Sequence, residues 1–166
     1  RRVLFRSIKC TTVAGVGSAL KWSLKVGAQA SDDNIGIVIN YAKPAITSVA
    51  AVDEIVTGGN TIVTVVGTSF GPKVSSNTVT AKFQNSALSN LAGTAFTATC
   101  TVHTAHTQLR CTTPPGVGKA QTWIVTVGGQ ESVASSSTTS YGPSLVTLTE
   151  PATFKTEGNE KVTLTG

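Results

Sequence analysis

Leu109-Arg110-Cys111-Thr112-Thr113-Pro114-Pro115-Gly116-Val117-Gly118 decides the reading of the fold, because the chain carries this stretch twice. The other copy is Ile8-Lys9-Cys10-Thr11-Thr12-Val13-Ala14-Gly15-Val16-Gly17. Each copy runs on into a tryptophan strand and a Gly-x-Gln turn, Trp22 to Gln29 and Trp123 to Gln130. From the cysteine to the serine that follows, Ser31 or Ser132, about half the positions are identical without a gap. The offset of about 100 residues is the size of one small β domain. Self-similarity at a fixed period marks a repeat architecture, so the chain reads as a section of a tandem array.

Working outward from the repeat, the patterning is that of half-buried strands. Trp22, Leu24 and Val26 alternate with Ser23 and Lys25, and Phe96, Ala98, Cys100 and Val102 share one parity with Thr97, Thr99 and Thr101 opposite. Val63 and Val65, then Val79, Ala81 and Phe83, form further inward sets, matched in the next copy by Val162 and Leu164. Gly67-Thr68-Ser69-Phe70-Gly71-Pro72 breaks a strand and seats an aromatic. Turns are expected at Thr57-Gly58-Gly59-Asn60, repeated as Thr156-Glu157-Gly158-Asn159, and near His106. Ile35 to Ile39 and the polar Ser135 to Ser140 are expected as closing strands. Tyr41-Ala42-Lys43-Pro44, repeated as Tyr141-Gly142-Pro143, reads as the boundary between modules, where proline removes a donor and fixes φ. Residues 1–40 are then the C-terminal half of one module, 41–142 a complete module, and 143–166 the N-terminal strands of a third.

Composition supports an all-β reading. Hydrophobic residues make up 40% and charged residues only 13%, and no segment has helical periodicity. No apolar run reaches the roughly 18 residues of a membrane span, so no membrane insertion is expected from these residues. The net charge of +5 is uneven: Arg1, Arg2, Arg6, Lys9, Lys21 and Lys25 come first, with no acid among them. A basic face can bind phosphates or acidic glycans. The second copy has Val102-His103 where the first has Arg1-Arg2, so the repeat does not require that charge.

A family resemblance follows from the motifs together. Pro44-x-Ile46, Gly58-Gly59-Asn60-x-Ile62, Gly67-x-x-Phe70-Gly71, Cys100, Leu109-x-Cys111-x-Thr113-Pro114-Pro115-Gly116-x-Gly118, Val125-x-Val127-Gly128-Gly129-Gln130 and Tyr141 resemble the IPT/TIG domain. The first copy departs from the pattern with Val13-Ala14 in place of Pro114-Pro115. The resemblance implies tandem Ig-like β-sandwiches, one complete and two partial. Similar domains occur in series on cell-surface receptors and large secreted or surface-anchored proteins, and singly in some DNA-binding transcription factors. The resemblance brings no catalytic site.

The candidate chemistry is sparse. Cys100 and Cys111 lie on inward parity of two strands joined by a turn, within reach of a disulfide; two free buried thiols are the alternative. Cys10 matches Cys111, and its partner is expected before Arg1. Cys100-x2-His103-x2-His106-x4-Cys111 has the ligand types of a zinc site, but His103 has solvent parity, so no metal is expected. Gly116-Val117-Gly118-Lys119 lacks the preceding glycine and the following hydroxyl of a phosphate loop, and reads as a turn. Asp32-Asp33-Asn34 and Asp53-Glu54 flank the boundary, but the next copy does not repeat them as a calcium site. Trp22 and Trp123 read as core tryptophans rather than sugar-stacking ones. Thr97, Thr99, Thr101, Ser135, Ser136, Ser137, Thr138 and Thr139 read as outward hydroxyls, either simple strand formers or O-glycan acceptors.

The expected protein is therefore extracellular or on the cell surface, non-enzymatic and without cofactors. It would be structural or adhesive and would self-associate into a fibre or array, with glycans as candidate partners and no nucleic acid. Exchange of end strands between copies is a variant of this reading. A receptor ectodomain for a protein or glycan ligand is the alternative, and a DNA-binding module comes third.

Overall fold

The computed structural model describes residues 7–31, 36, 38–51, 54–85, 87, 95–143, 145–151 and 153–165. Its centre is one seven-stranded antiparallel sheet built from β3 (Ala45–Ala51), β4 (Ile62–Thr68), β5 (Val79–Asn85), β6 (Phe96–Thr104), β7 (Gln108–Thr112), β8 (Gln121–Val127) and β9 (Gln130–Glu131). The spatial order is β3-β4-β7-β6-β5-β8-β9. Two short hairpins flank it: β1 (Lys25–Val26) with β2 (Gln29–Ala30), and β10 (Leu148–Glu150) with β11 (Thr163–Thr165). Among the described residues there is no α-helix, and no helix is long and apolar enough to cross a membrane.

β6 turns the sheet into two layers. Its first half, Phe96 to Cys100, pairs with β5, while Thr99 to Thr104 pairs with β7. A register shift between Val102 and Thr104 falls at His103, and such a bulge adds local twist. The sheet therefore curls over on itself as a sandwich. The far layers are tied by the Val49 N–H donating to Ser137 Oγ at 2.8 Å and by the Gly142 N–H donating to the Ile55 carbonyl at 2.8 Å.

The core follows the period of two. Val63 and Val65, then Val79, Ala81 and Phe83, then Ala98, Cys100 and Val102, then Trp123, Val125 and Val127 are buried on successive strands. Thr97, Thr99 and Thr101 are exposed on the opposite face of β6. Phe70 is fully buried just past β4, where a Cβ on Gly67 would overlap the Ala45 carbonyl oxygen and crowd the Phe70 ring to 2.6 Å. That close approach is why the strand must carry glycine there.

Several expectations need correction. Ser135 to Ser140 is not a strand: it holds a single bridge, Gln121 to Thr139. The ladder there is mixed: the Ser135 N–H donates to the Trp123 carbonyl at 2.8 Å, while the Trp123 N–H goes to the Ser135 hydroxyl. Trp22, Leu24 and Val26 do not form a buried face; they are 45%, 42% and 47% exposed, against 0%, 0% and 1% for Trp123, Val125 and Val127. β5 pairs along the whole of β8, whereas β2 is the sole described partner of β1. Val162 and Leu164 are likewise exposed, since β10 and β11 form a two-stranded ribbon with no opposing layer among the described residues. Of Ile35 to Ile39, residues 35 and 37 lie outside the described residues, and Ile39 makes one bridge with Leu20.

Candidate functional site

The disulfide hairpin is the first element of the site. Cys100 on β6 and Cys111 on β7 stand directly opposite in the ladder and are bonded, with their Cα atoms 4.0 Å apart. Both are buried against the core. Because these sulfurs are bonded to each other, the Cys-His-His-Cys set is not brought together as zinc ligands, and His106 stands exposed in the turn at φ 66°. Cys10 is a free thiol and is exposed.

The second element is an aromatic stack under a row of hydroxyls. Phe83 stacks on Trp123 with centroids 4.3 Å apart and on Phe96 at 5.4 Å, and Tyr141 tilts against both phenylalanines. The indole N–H donates to Thr139 Oγ1 at 2.8 Å. Along β8, the Trp123 N–H donates to Ser135 Oγ at 2.9 Å and the Val125 N–H to Ser132 Oγ at 3.0 Å. Ser135 Oγ in turn donates to the Ser137 carbonyl at 2.6 Å. Ser135 and Thr139, expected to point outward, are 5% and 7% exposed with bonded hydroxyls, and Ser137 is half-buried and bonded to Val49. This corrects their reading as glycan acceptors. Ser136 and Thr138 remain exposed, as do Thr97, Thr99 and Thr101. Replacing Ser135 by alanine would leave a buried Trp123 N–H without an acceptor and should cost about 1–3 kcal/mol in urea unfolding. Ser136→Ala should leave stability within about 0.5 kcal/mol.

The third element is the tyrosine lock. The Tyr141 hydroxyl donates to the Pro114 carbonyl at 2.7 Å, and a Cβ on Gly116 would sit 2.7 Å from the tyrosine ring. The Tyr41 hydroxyl donates to the Val13 carbonyl at 2.6 Å, with a Cβ on Gly15 at 2.8 Å from its ring. Burial pushes the Tyr141 phenol above its ordinary pKa. The protonated phenol is therefore favoured in the folded chain, and its contribution is complete below the unfolded value of about 10. Stability should fall as pH rises past that value towards the folded pKa. Tyr141→Phe should lose about 1 kcal/mol at neutral pH and show a shallower decline between pH 9 and 11. Equal pH slopes for the two chains would contradict this.

The two stretches that share sequence also share hydrogen bonds. The Leu24 N–H donates to Ser31 Oγ as Val125 does to Ser132, at 2.9 and 3.0 Å. The Ala19 N–H donates to Asn40 Oδ1 as Ala120 does to Ser140 Oγ. The Tyr41 N–H donates to the Gly17 carbonyl as Tyr141 does to Gly118, at 3.0 and 2.9 Å. Gly27 and Ala28 take the same left-handed turn as Gly128 and Gly129, the geometry of a two-residue hairpin loop. The sequence signal for the hydroxyl row was the serine shared at positions 31 and 132; its inward direction was not apparent from alternation.

The remaining candidates do not converge. Among the described residues there is no cluster of histidine, cysteine, aspartate or glutamate able to hold a metal ion. Arg1, Arg2, Arg6, Asp32, Asp33, Asn34 and Asp53 lie outside the described residues. Gly116 to Lys119 is a loop with no helix after it, and Val117 is 64% exposed.

Comparison with known proteins fits this geometry. No curated protein and no solved structure matches the chain. The family model described as the IPT/TIG domain matches residues 44–141, the stretch that holds the curled sheet, the disulfide and the tyrosine lock. The chain belongs to the IPT/TIG domain family.

Proposed function

We propose that this is a non-enzymatic extracellular structural or adhesive protein built of tandem IPT/TIG modules. In this reading, 41–142 is one module between the C-terminal half of another (1–40) and the first strands of a third (143–166). The observation that carries it is the shared hydrogen-bond set of residues 13–41 and 114–141, including the tyrosine lock. The described residues of the two stretches make matching side-chain and backbone bonds at corresponding positions, as expected if each is the same part of a repeating unit. The buried disulfide fits an oxidising compartment. The exposed threonines of β6 would be available to O-glycans, and end-to-end modules would be able to assemble into a fibre or array.

Electron microscopy and intact mass of the protein purified from its source test the proposal. Elongated strings of beads, far heavier than 17.0 kDa, are expected. A species near 17.0 kDa that associates would favour exchange of strands between copies. A single-span membrane protein with unlike domains would favour a receptor ectodomain. Tight DNA binding that weakens steeply with salt would overturn the extracellular reading.

A further inference from the structure

Val16 and Val117 occupy the same place in the repeated Gly-Val-Gly loop, yet their surroundings differ. Val16 packs against the core of the 44–141 module and Gly17 is buried, whereas Val117 is 64% exposed and Gly118 is exposed as well. Two glycines form part of the cover over Val16. A Cβ on Gly71 would overlap Val16 Cγ1, and a Cβ on Gly128 would lie 2.9 Å from Val16 Cγ2 and 2.8 Å from the Gly17 nitrogen. The two methyls of Val16 therefore sit in a socket that exists because both positions lack a side chain. Both glycines have positive φ, 81° and 54°, so backbone conformation and close approach favour glycine together. The Gln130 side chain adds one polar tie, Nε2 donating to the Tyr41 carbonyl at 3.2 Å.

The flanks of the two loops make the same comparison. Beside Val16 a cleft of about 620 Å³ has Ser18, Asn40 and Tyr41 on one wall and Thr126, Gly129 and Gln130 on the other. Beside Val117 an open hollow of about 450 Å³ has the counterparts of the first wall, Lys119, Ser140 and Tyr141. Among the described residues nothing equivalent to the second wall lines it; β10 and β11 lie in the stretch that would supply only the first strands of a following module.

Resting on the tandem reading, we infer that Val117 and the Gly116–Gly118 loop are a docking surface for the following module of this chain. That module would present glycines at the positions of Gly71 and Gly128, in residues after Gly166. The joint is a valine knob in a two-glycine socket, and it sets the angle between neighbours. It also selects them, because a side chain at either socket position would exclude the knob.

Thiol labelling tests this in a Cys10→Ser background, where the remaining cysteines are bonded to each other. In the 166-residue chain, Val16→Cys should react at least about tenfold more slowly than Val133→Cys, as a joint closed nine-tenths of the time requires. Val133 is 86% exposed and serves as the open reference. Val117→Cys should react as fast as the reference in this chain. In the protein's own sequence continued through one more module, Val117→Cys should slow to the rate of Val16→Cys. Fast labelling at Val16 would overturn the socket itself. A folded following module that leaves Val117→Cys fast would overturn the docking inference and leave the tandem reading standing. A natural sequence with no module after Gly166 would sink both.

Discussion

Replacing Trp123 by alanine is expected to cost about 3–5 kcal/mol, the largest loss of any single substitution considered. The ring is fully buried and stacked on Phe83 at 4.3 Å, between layers too close-packed to collapse into the space it leaves. The change also strips Thr139 Oγ1 of its indole donor. A small domain holds about 5–15 kcal/mol in all, so the variant module should sit near its unfolding transition at room temperature. Trp123→Phe separates the two effects: it keeps a stacking ring and should lose mainly the hydrogen bond, about 1 kcal/mol. The informative companion is Trp22→Ala. Its indole is 45% exposed, and in the 166-residue chain its removal should cost under about 1 kcal/mol. Urea unfolding of the three variants checks this. Equal losses at Trp22 and Trp123 would mean that residues 7–41 are covered in solution by something the chain itself does not place there.

That contrast also shows where the sequence could be read and where it could not. Parity on β4, β5 and β6 gave the buried set correctly, because each of those strands buries one face and leaves the other at least partly open. Cys100 and Cys111 could be paired because a short turn at 105–107 places inward residues of β6 and β7 opposite each other. Parity failed at Trp22 and Val162, where no opposing layer is present among the described residues. A hydrophobic alternation records what a strand is built to pack against and does not record whether that partner is present. Alternation failed again at Ser135 to Thr139. A solvated face is expected there, but only Ser136 and Thr138 are exposed; Ser135 and Thr139 turn inward to bond Trp123, and Ser137 is half-buried against Val49. A short hydroxyl can accept a backbone N–H where a strand would otherwise run, so serine-rich composition alone does not separate a solvated edge from a side-chain ladder. The tyrosine at the boundary was legible as a repeat but not as a lock, since its bond to the carbonyl of residue 114 joins positions 27 apart in sequence.

Loss of the Cys100–Cys111 bond is the other large expected effect, about 2–3 kcal/mol. The bond spans 11 residues, and tying so short a loop removes fewer unfolded conformations than a long cross-link would. With a urea slope of about 1–3 kcal/mol/M, the midpoint should drop by on the order of 1–2 M. Reduction is a cleaner route than substitution, because alanines would add a cavity among Val63, Val79 and Leu109. Both sulfurs are buried, so reductant should act through opening of the hairpin and speed up sharply in urea. Cys10 supplies an internal reference, since it is free and exposed. In the 166-residue chain, native unreduced protein should therefore yield one reactive thiol, and unfolded, reduced protein all three cysteines. Three thiols in the native unreduced protein would contradict the bond. If the bond forms but its reduction leaves the midpoint unchanged, the β6–β7 ladder alone holds the hairpin. The bond would then bear on compartment rather than on stability, because a disulfide that contributes nothing to folding still requires oxidising surroundings to persist.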